Sequence, residues 1–309
     1  MNPIKIDTAA EKLCFAMTRL FTTGPLRGFN QIDRAQGNRF DSIDNYISDR
    51  LSNVSDYRQL FSGFTRFEGK TVLELGCSRG YLLNSFRQLE KFTAIGADIN
   101  PEMLALARTE CRSDIQFVQT TPDYIPVPDA TVDVVYTIDT IEHLSRPYEM
   151  FTEVFRILKP DGMFLIHFGP WYNPNGAHLE DIIPFPWPHV MFSMDTLLRV
   201  AAYIYESKDT KHACYWYNNK GELRPNPYID REHWREFLND LTIRKFKRLL
   251  RTLPYQTVHF QRIGFGGKSF RAARLLTGLA QIPMFDELFI KAVFCVLRKP
   301  AALRYPMAA

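Results

Sequence analysis

Between residues 71 and 168 the chain alternates short apolar runs with amphipathic stretches, and this alternation constrains the fold more than any other feature. The apolar runs are TVLEL (71–75), FTAIGAD (92–98), IQFVQ (115–119), VDVVYTID (132–139) and GMFLIHF (162–168). GYLLNSFRQLE (80–90), PEMLALARTE from Pro101 and PYEMFTEVFRIL (147–158) fill the gaps. In the last of these, Met150, Phe151, Val154, Ile157 and Leu158 recur at helical spacing. Strands separated by helix-length segments pair in parallel, because a parallel neighbour needs a long crossover. Two later strand-like runs cover 255–265 and 287–299, and the second is apolar and β-branched enough for a central strand. The expected class is α/β.

Four segments are expected: an N-terminal helical cap (1–69), the first half of the core (70–168), an insertion (169–229) and a C-terminal completion of the core (230–309). The insertion is rich in proline and aromatics with poor periodicity, as in GPWYNPNGAHLEDIIPFPWPHVMF, and reads as a loop-rich lid after strand five. Helical texture returns over 230–250. With 46% hydrophobic and 14% aromatic residues the chain has material for a packed core, which excludes disorder throughout. The balance of 38 basic against 34 acidic residues makes no case for general nucleic-acid binding. Five scattered cysteines without C-x-x-C exclude a disulfide framework and a zinc ribbon. No run reads as a signal peptide or a membrane span, so a soluble cytoplasmic protein is expected, with peripheral membrane contact left open.

Gly76, Ser78 and Gly80 spell G-x-S-x-G, which admits two readings. In a hydrolase, Ser78 would be a nucleophile on a sharp strand-to-helix turn. In a cofactor-binding loop, the backbone closes on the ligand and an acidic residue about 20 positions on takes the ribose hydroxyls. A nucleophile elbow follows a mid-sheet strand, whereas this loop follows the first, and it leaves Glu74 and Asp98 unexplained. The cofactor reading accounts for both.

Together VLELGCSRGYLL, IGADINPEMLALAR, VDVVYTIDTIEHL and RILKPDGMFLI resemble the class I S-adenosylmethionine-dependent methyltransferases, closest to the small-molecule, methyltransferase type 11-like branch. The resemblance covers about residues 70–168. It implies a Rossmann-like seven-stranded sheet, mostly parallel with the last strand reversed, and S-adenosyl-L-methionine as cofactor. It also implies roles: Glu74 near the methionyl ammonium, Gly76, Cys77, Ser78 and Gly80 as the loop, Asp98 on the ribose and Ile99 against the adenine. Two departures stand out. Ser78 replaces the middle glycine, and Thr120 and Thr121 stand where an acidic residue would hold the adenine amino group, with Asp123 as a substitute.

Methyl transfer is an in-line displacement in which the protein aligns the nucleophile and excludes water; an alcohol acceptor benefits from a general base. The candidates are Asp139 and His143 in DTIEHL, which borders the cofactor in the resembled family, His167 near the end of strand five, and His178 and His189 in the insertion. For each histidine, ordinary packing is the competing reading. No metal site is expected, since the spacing of His178 and His189 fits no metal motif. Trp171, Tyr172, Phe185 and Trp187 suit a sugar or aromatic acceptor, or the core of the lid. The basic run RKFKRLLR (244–251) reads as a solvated helix face or as a dock for RNA or a lipid surface. The leading expectation is O-methylation of a small molecule or saccharide with a His base. The alternatives are a methyltransferase acting on RNA or protein through the basic helix, and a non-catalytic binding module.

Overall fold

The structure is a computed structural model and describes residues 4–27, 42–207, 212, 214–218, 221–264, 282 and 285–301. The strands are β1 (Thr71–Leu75), β2 (Thr93–Asp98), β3 (Gln116–Gln119), β4 (Val132–Ile138), β5 (Leu158–Phe168), β6 (Gln256–Gly264) and β7 (Ile290–Arg298). The helices are α1 (Ala9–Thr22), α2 (Ile43–Ser52), α3 (Val54–Ser62), α4 (Tyr81–Leu89), α5 (Pro101–Glu110), α6 (Pro147–Ile157), α7 (Pro188–Met191), α8 (Met194–Tyr205), α9 (Arg231–Phe237) and α10 (Ile243–Arg251). Two compact units divide the chain: residues 1–50 with 171–238, and 51–170 with 239–309.

The larger unit carries the seven-stranded sheet in the order β3-β2-β1-β4-β5-β7-β6. β1 to β5 run parallel, and β7 is antiparallel to both β5 and β6. The order reverses at β1, where the chain crosses from one half of the sheet to the other. The crevice at the carboxyl ends beside β1 and β4 is where open α/β sheets bind ligands. Central strands β4 and β7 are buried along nearly their whole length, as expected for strands covered on both faces.

Two apolar clusters flank this sheet. Phe151, Val154, Phe164, Phe168, Phe246 and Ile290 belong to one; Phe61, Phe67, Phe86, Tyr136 and Phe294 belong to the other. Local chemistry sets the helix ends. Pro101 opens α5, with the Asn100 side chain accepting from the amides of Glu102 and Met103. The Thr242 side chain caps α10 by accepting from Lys245. The 230–250 segment, where helical texture was expected, forms two helices with a break between Phe237 and Ile243, where Asp240 adopts a left-handed φ of 50°. Asn239 uses that break to reach the turn after β4. Its side chain donates to the carbonyls of Ile141 (2.7 Å) and Leu144 (2.9 Å), and its amide donates to that of Glu142 (2.9 Å).

The smaller unit has its own core of Cys14, Ala177, Leu179, Ile183, Phe185, Leu198, Ala201, Tyr205, Tyr228 and Trp234. α1 opens on a capping box in which the Thr8 side chain accepts from the Glu11 amide and Glu11 accepts from the Thr8 amide. α8 is a regular helix inside a stretch read as loop-rich. Its apolar positions Leu197, Leu198, Ala201, Ala202 and Tyr205 are buried, and Ser193 caps it. Among the described residues, no helix is long and apolar enough to cross a membrane.

Phe246 is fully buried and lies 4.8 Å, ring centroid to centroid, from Phe168 and 6.2 Å from Phe151. Phe246→Ala should therefore lower the unfolding free energy by about 3–5 kcal/mol, measured by urea denaturation. A loss under about 1 kcal/mol would mean that α10 is not anchored through this ring.

Candidate functional site

The loop between β1 and α4 is built from left-handed backbone. Gly76 has φ 79°, Ser78 φ 47° and Gly80 φ 71°. A Cβ at Gly76 would overlap the Thr140 side chain, and one at Gly80 would lie 2.8 Å from the Phe117 ring. Glycine is required at both places by conformation and by space. Ser78 has neither advantage, so something must hold it there. Its amide donates to Asp98 Oδ2 at 2.7 Å, and Asp98 Oδ1 accepts from the Asn100 amide at 2.8 Å. The carboxylate at the end of β2 is thus oriented by two backbone N–H groups, one for each oxygen. Each oxygen keeps further acceptor capacity. The amides of Gly76 and Cys77 both donate to the Ala97 carbonyl, at 2.8 and 3.1 Å, which ties the loop to β2.

Glu74, on β1, is 5% exposed and accepts from the Leu83 amide at 3.2 Å, which joins the strand to α4. Its charge adds to burial in holding the Tyr136 phenol well above its ordinary range. Cys77 is buried; burial first, then the charges of Glu74 and Asp98, push its thiol far up, so it is a neutral side chain. Ile99 follows Asp98 with 54% of its surface exposed, unusual for a large aliphatic residue beside so buried a strand. Asp123 is engaged by other partners. Its carboxylate accepts from Arg146 at 2.6 Å and from the Thr121 hydroxyl at 2.8 Å.

At the carboxyl ends of β4 and β5, Asp139 and His167 meet. Asp139 has a left-handed φ of 49°, and its amide donates to the His167 carbonyl at 2.9 Å. Its Oδ1 lies 3.1 Å from His167 Nδ1. The imidazole is buried, and the Tyr57 ring from α3 meets it edge-on at 5.2 Å. In this geometry the Asp139 carboxylate is placed to accept from Nδ1–H, which directs Nε2 away from it. Tyr57 carried no signal in the sequence, because it comes from a helix outside the motif region. His143 lies on the 3-10 turn Ile141–His143, half-buried, with its amide donating to the Thr140 carbonyl at 2.9 Å.

His178 and His189 belong to the smaller unit. His178 is half-buried with φ 51°, and its ring lies 6.3 Å from that of Phe237. The His189 ring lies 4.8 Å from that of Trp171. Burial, with a smaller contribution from His178, pushes the His189 imidazole down to about 4, against a partial offset from the Trp171 backbone. Asp181 accepts from the Trp216 indole at 2.8 Å. Phe185 is buried in that unit's core, while Tyr172 is 44% exposed.

Residues 73–166 match the family model of a methyltransferase domain. An uncharacterized methyltransferase of Mycolicibacterium gilvum is 29% identical over 133 residues, 42% of this chain and 51% of that protein. A Mycolicibacterium smegmatis protein named as an S-adenosylmethionine-dependent methyltransferase is 36% identical over 102 residues, 33% of this chain and 38% of its own. The chain thus spans about half or less of the curated relatives it matches. Among solved structures, a chain of the complex between the Haloferax volcanii Trm112 methyltransferase activator and its methyltransferase partner superposes with a TM-score of 0.52. It is 18% identical, covering 83% of this chain and 93% of that one. The match to a methyltransferase domain thus covers residues 73–166, and the sheet that carries them has the class I methyltransferase fold.

His189 generates a pH dependence with a definite sign. Its folded pKa lies below its unfolded value near 6.5, so the unfolded chain binds more protons between these values and stability falls as pH drops from about 6.5 to about 4. His189→Gln should flatten the urea-unfolding stability profile of the full chain in this window by up to one proton, about 1.4 kcal/mol per pH unit. An unchanged slope would show that His189 is not buried neutral.

Proposed function

We propose that this chain is an S-adenosylmethionine-dependent methyltransferase that methylates an oxygen of a small-molecule or saccharide acceptor. The observation that carries the reading is the Asp98 carboxylate, held by the amides of Ser78 and Asn100 beside a loop of left-handed glycines. The donor set fits the cofactor. Asp98 retains acceptor capacity for two ribose hydroxyls, Glu74 is a buried carboxylate suited to the methionyl ammonium, and Ile99 offers an exposed apolar side chain to the adenine. Asp123 fits the adenine amino group less well, since Arg146 and Thr121 already hold it. When bound, the cofactor supplies an electrophilic methyl group on a sulfonium.

The remaining steps fall to the protein. In this reading Asp139 orients His167, and Nε2 of His167 takes the proton of an acceptor hydroxyl as the oxygen attacks. His143, half-buried on the turn after β4, is the second candidate for that proton. Of the two histidines of the smaller unit, His178 and His189, the neutral imidazole of His189 is the poorer base because its pKa lies so low.

Calorimetric titration with S-adenosylmethionine should show saturable binding by the wild-type chain and at least a tenfold weaker affinity for Asp98→Ala, the size expected when a charged hydrogen-bond acceptor is lost. Absence of binding by the wild type sinks the reading. His167→Asn should leave cofactor affinity within about threefold. It should also cut transfer of a tritiated methyl group to hydroxylated acceptors by about 100-fold or more. Equal transfer by both proteins would remove His167 from the chemistry.

A further inference from the structure

We propose that the outer face of α10 docks the protein on an anionic lipid surface. The helix carries Arg244, Lys245, Lys247, Arg248 and Arg251 and no acidic residue. All five side chains are exposed, and among the described residues none of the five forms an ion pair with a carboxylate. Arg244, Lys247, Arg248 and Arg251 follow the i, i+3, i+4, i+7 pattern and therefore form one stripe. At 1.5 Å per residue, that stripe is about 10 Å long. Asp240 acts electrostatically on Lys245, which lies off the stripe; within the stripe, like charges at i, i+3 and i, i+4 repel, and an external counter-charge relieves that cost.

The helix cannot turn these cations away. Its opposite face is occupied: Ile243 and Phe246 are buried in the core of the larger unit, and the Ile243 amide donates to Glu287 at 2.7 Å. At its start, Lys245 reaches the Asn239 carbonyl at 3.5 Å, and the Asn239 side chain clamps the turn after β4. The cationic face is thus displayed on a fixed platform that also supports the Ile141–His143 turn.

The chemistry of the face selects between polyanions. Sequence-tolerant binding of single-stranded nucleic acid combines a basic groove with aromatic rings on which bases stack. α10 presents a convex helix exterior whose exposed positions are arginine and lysine, and its one aromatic residue, Phe246, is fully buried. Lys247 lies over the Phe260 ring at 4.7 Å, a contact that involves only one of the five cations. A bilayer surface bearing phosphatidylserine is planar, needs no groove and attracts a cluster of four or more basic residues through charge alone. Because the apolar face of α10 is already buried, the attachment is electrostatic rather than insertional, and so it must be reversible by salt.

The test is co-sedimentation of the full chain with vesicles of phosphatidylcholine alone or with 30% phosphatidylserine, at about 50 and about 300 mM salt. The expected result is pelleting with the anionic vesicles only, falling by about tenfold or more at the higher salt. The variant Arg244→Gln/Lys245→Gln/Arg248→Gln/Arg251→Gln should lose this binding while keeping its thermal midpoint. Arg244→Lys/Arg248→Lys/Arg251→Lys should retain it, which separates charge from fold. No pelleting of the wild type, equal pelleting with neutral vesicles, or unchanged pelleting of the glutamine variant would each overturn the proposal. A single-stranded RNA that displaces the wild type from anionic vesicles at equal phosphate concentration would overturn it in favour of nucleic acid.

Discussion

The hydrogen bond from the Ser78 amide to Asp98 is the interaction on which the rest of the site depends. A non-glycine residue in the left-handed region costs about 1–2 kcal/mol. A hydrogen bond to a charged acceptor returns about 1.5–3 kcal/mol, enough to hold Ser78 at φ 47° between two glycines. The same bond aims the carboxylate, because the Asn100 amide fixes its other oxygen. The turn and the acceptor are therefore one unit: moving either disturbs the other. Gly76 extends the coupling to β4, since only its missing Cβ leaves room for Thr140, the residue that follows Asp139.

From Thr140 the constraint passes to the other half of the site. Asp139 sits in a strained conformation at the end of β4, held by its amide bond to the His167 carbonyl, and its carboxylate faces the His167 ring. Packing sets that ring's remaining freedom, with Tyr57 edge-on against it. The Asp98 carboxylate and the backbone of Asp139 are both anchored by main-chain groups. Such anchoring is what preorganised sites need, because geometry fixed in advance costs nothing at the moment of reaction.

Much of the fold was legible from residue order. Strand–helix alternation and a second apolar run near the C-terminus suffice to read a parallel sheet and a further central strand, because periodicity and burial are local properties; the reversal of that last strand came from the resemblance alone. The twelve-residue α8 was missed because neighbouring prolines and aromatics dominate its surroundings, although Leu197, Leu198, Ala201 and Ala202 keep helical spacing. The break at Asp240 was also hidden: nothing nearby in sequence announces that Asn239 must reach the turn after β4, about a hundred residues earlier. In the site, glycine spacing and the acidic residue after β2 were visible, but the bond joining Ser78 to Asp98 spans two strands and needs coordinates. The same holds for Asp139 with His167 and for Tyr57, whose relations are set by sheet register and helix packing.

The central claim is that Asp98, aimed by the loop, accepts the ribose hydroxyls of S-adenosylmethionine. The most direct measurement is a thermodynamic cycle, with calorimetric affinities of wild type and Asp98→Asn for S-adenosylmethionine and for its 2′-deoxy analogue. Removing the hydroxyl should weaken binding to the wild type by about 10- to 100-fold, the range for a hydrogen bond to a charged acceptor, and should change binding to Asp98→Asn much less. Equal losses in both proteins would contradict the account, because the hydroxyl would then be recognised somewhere other than Asp98.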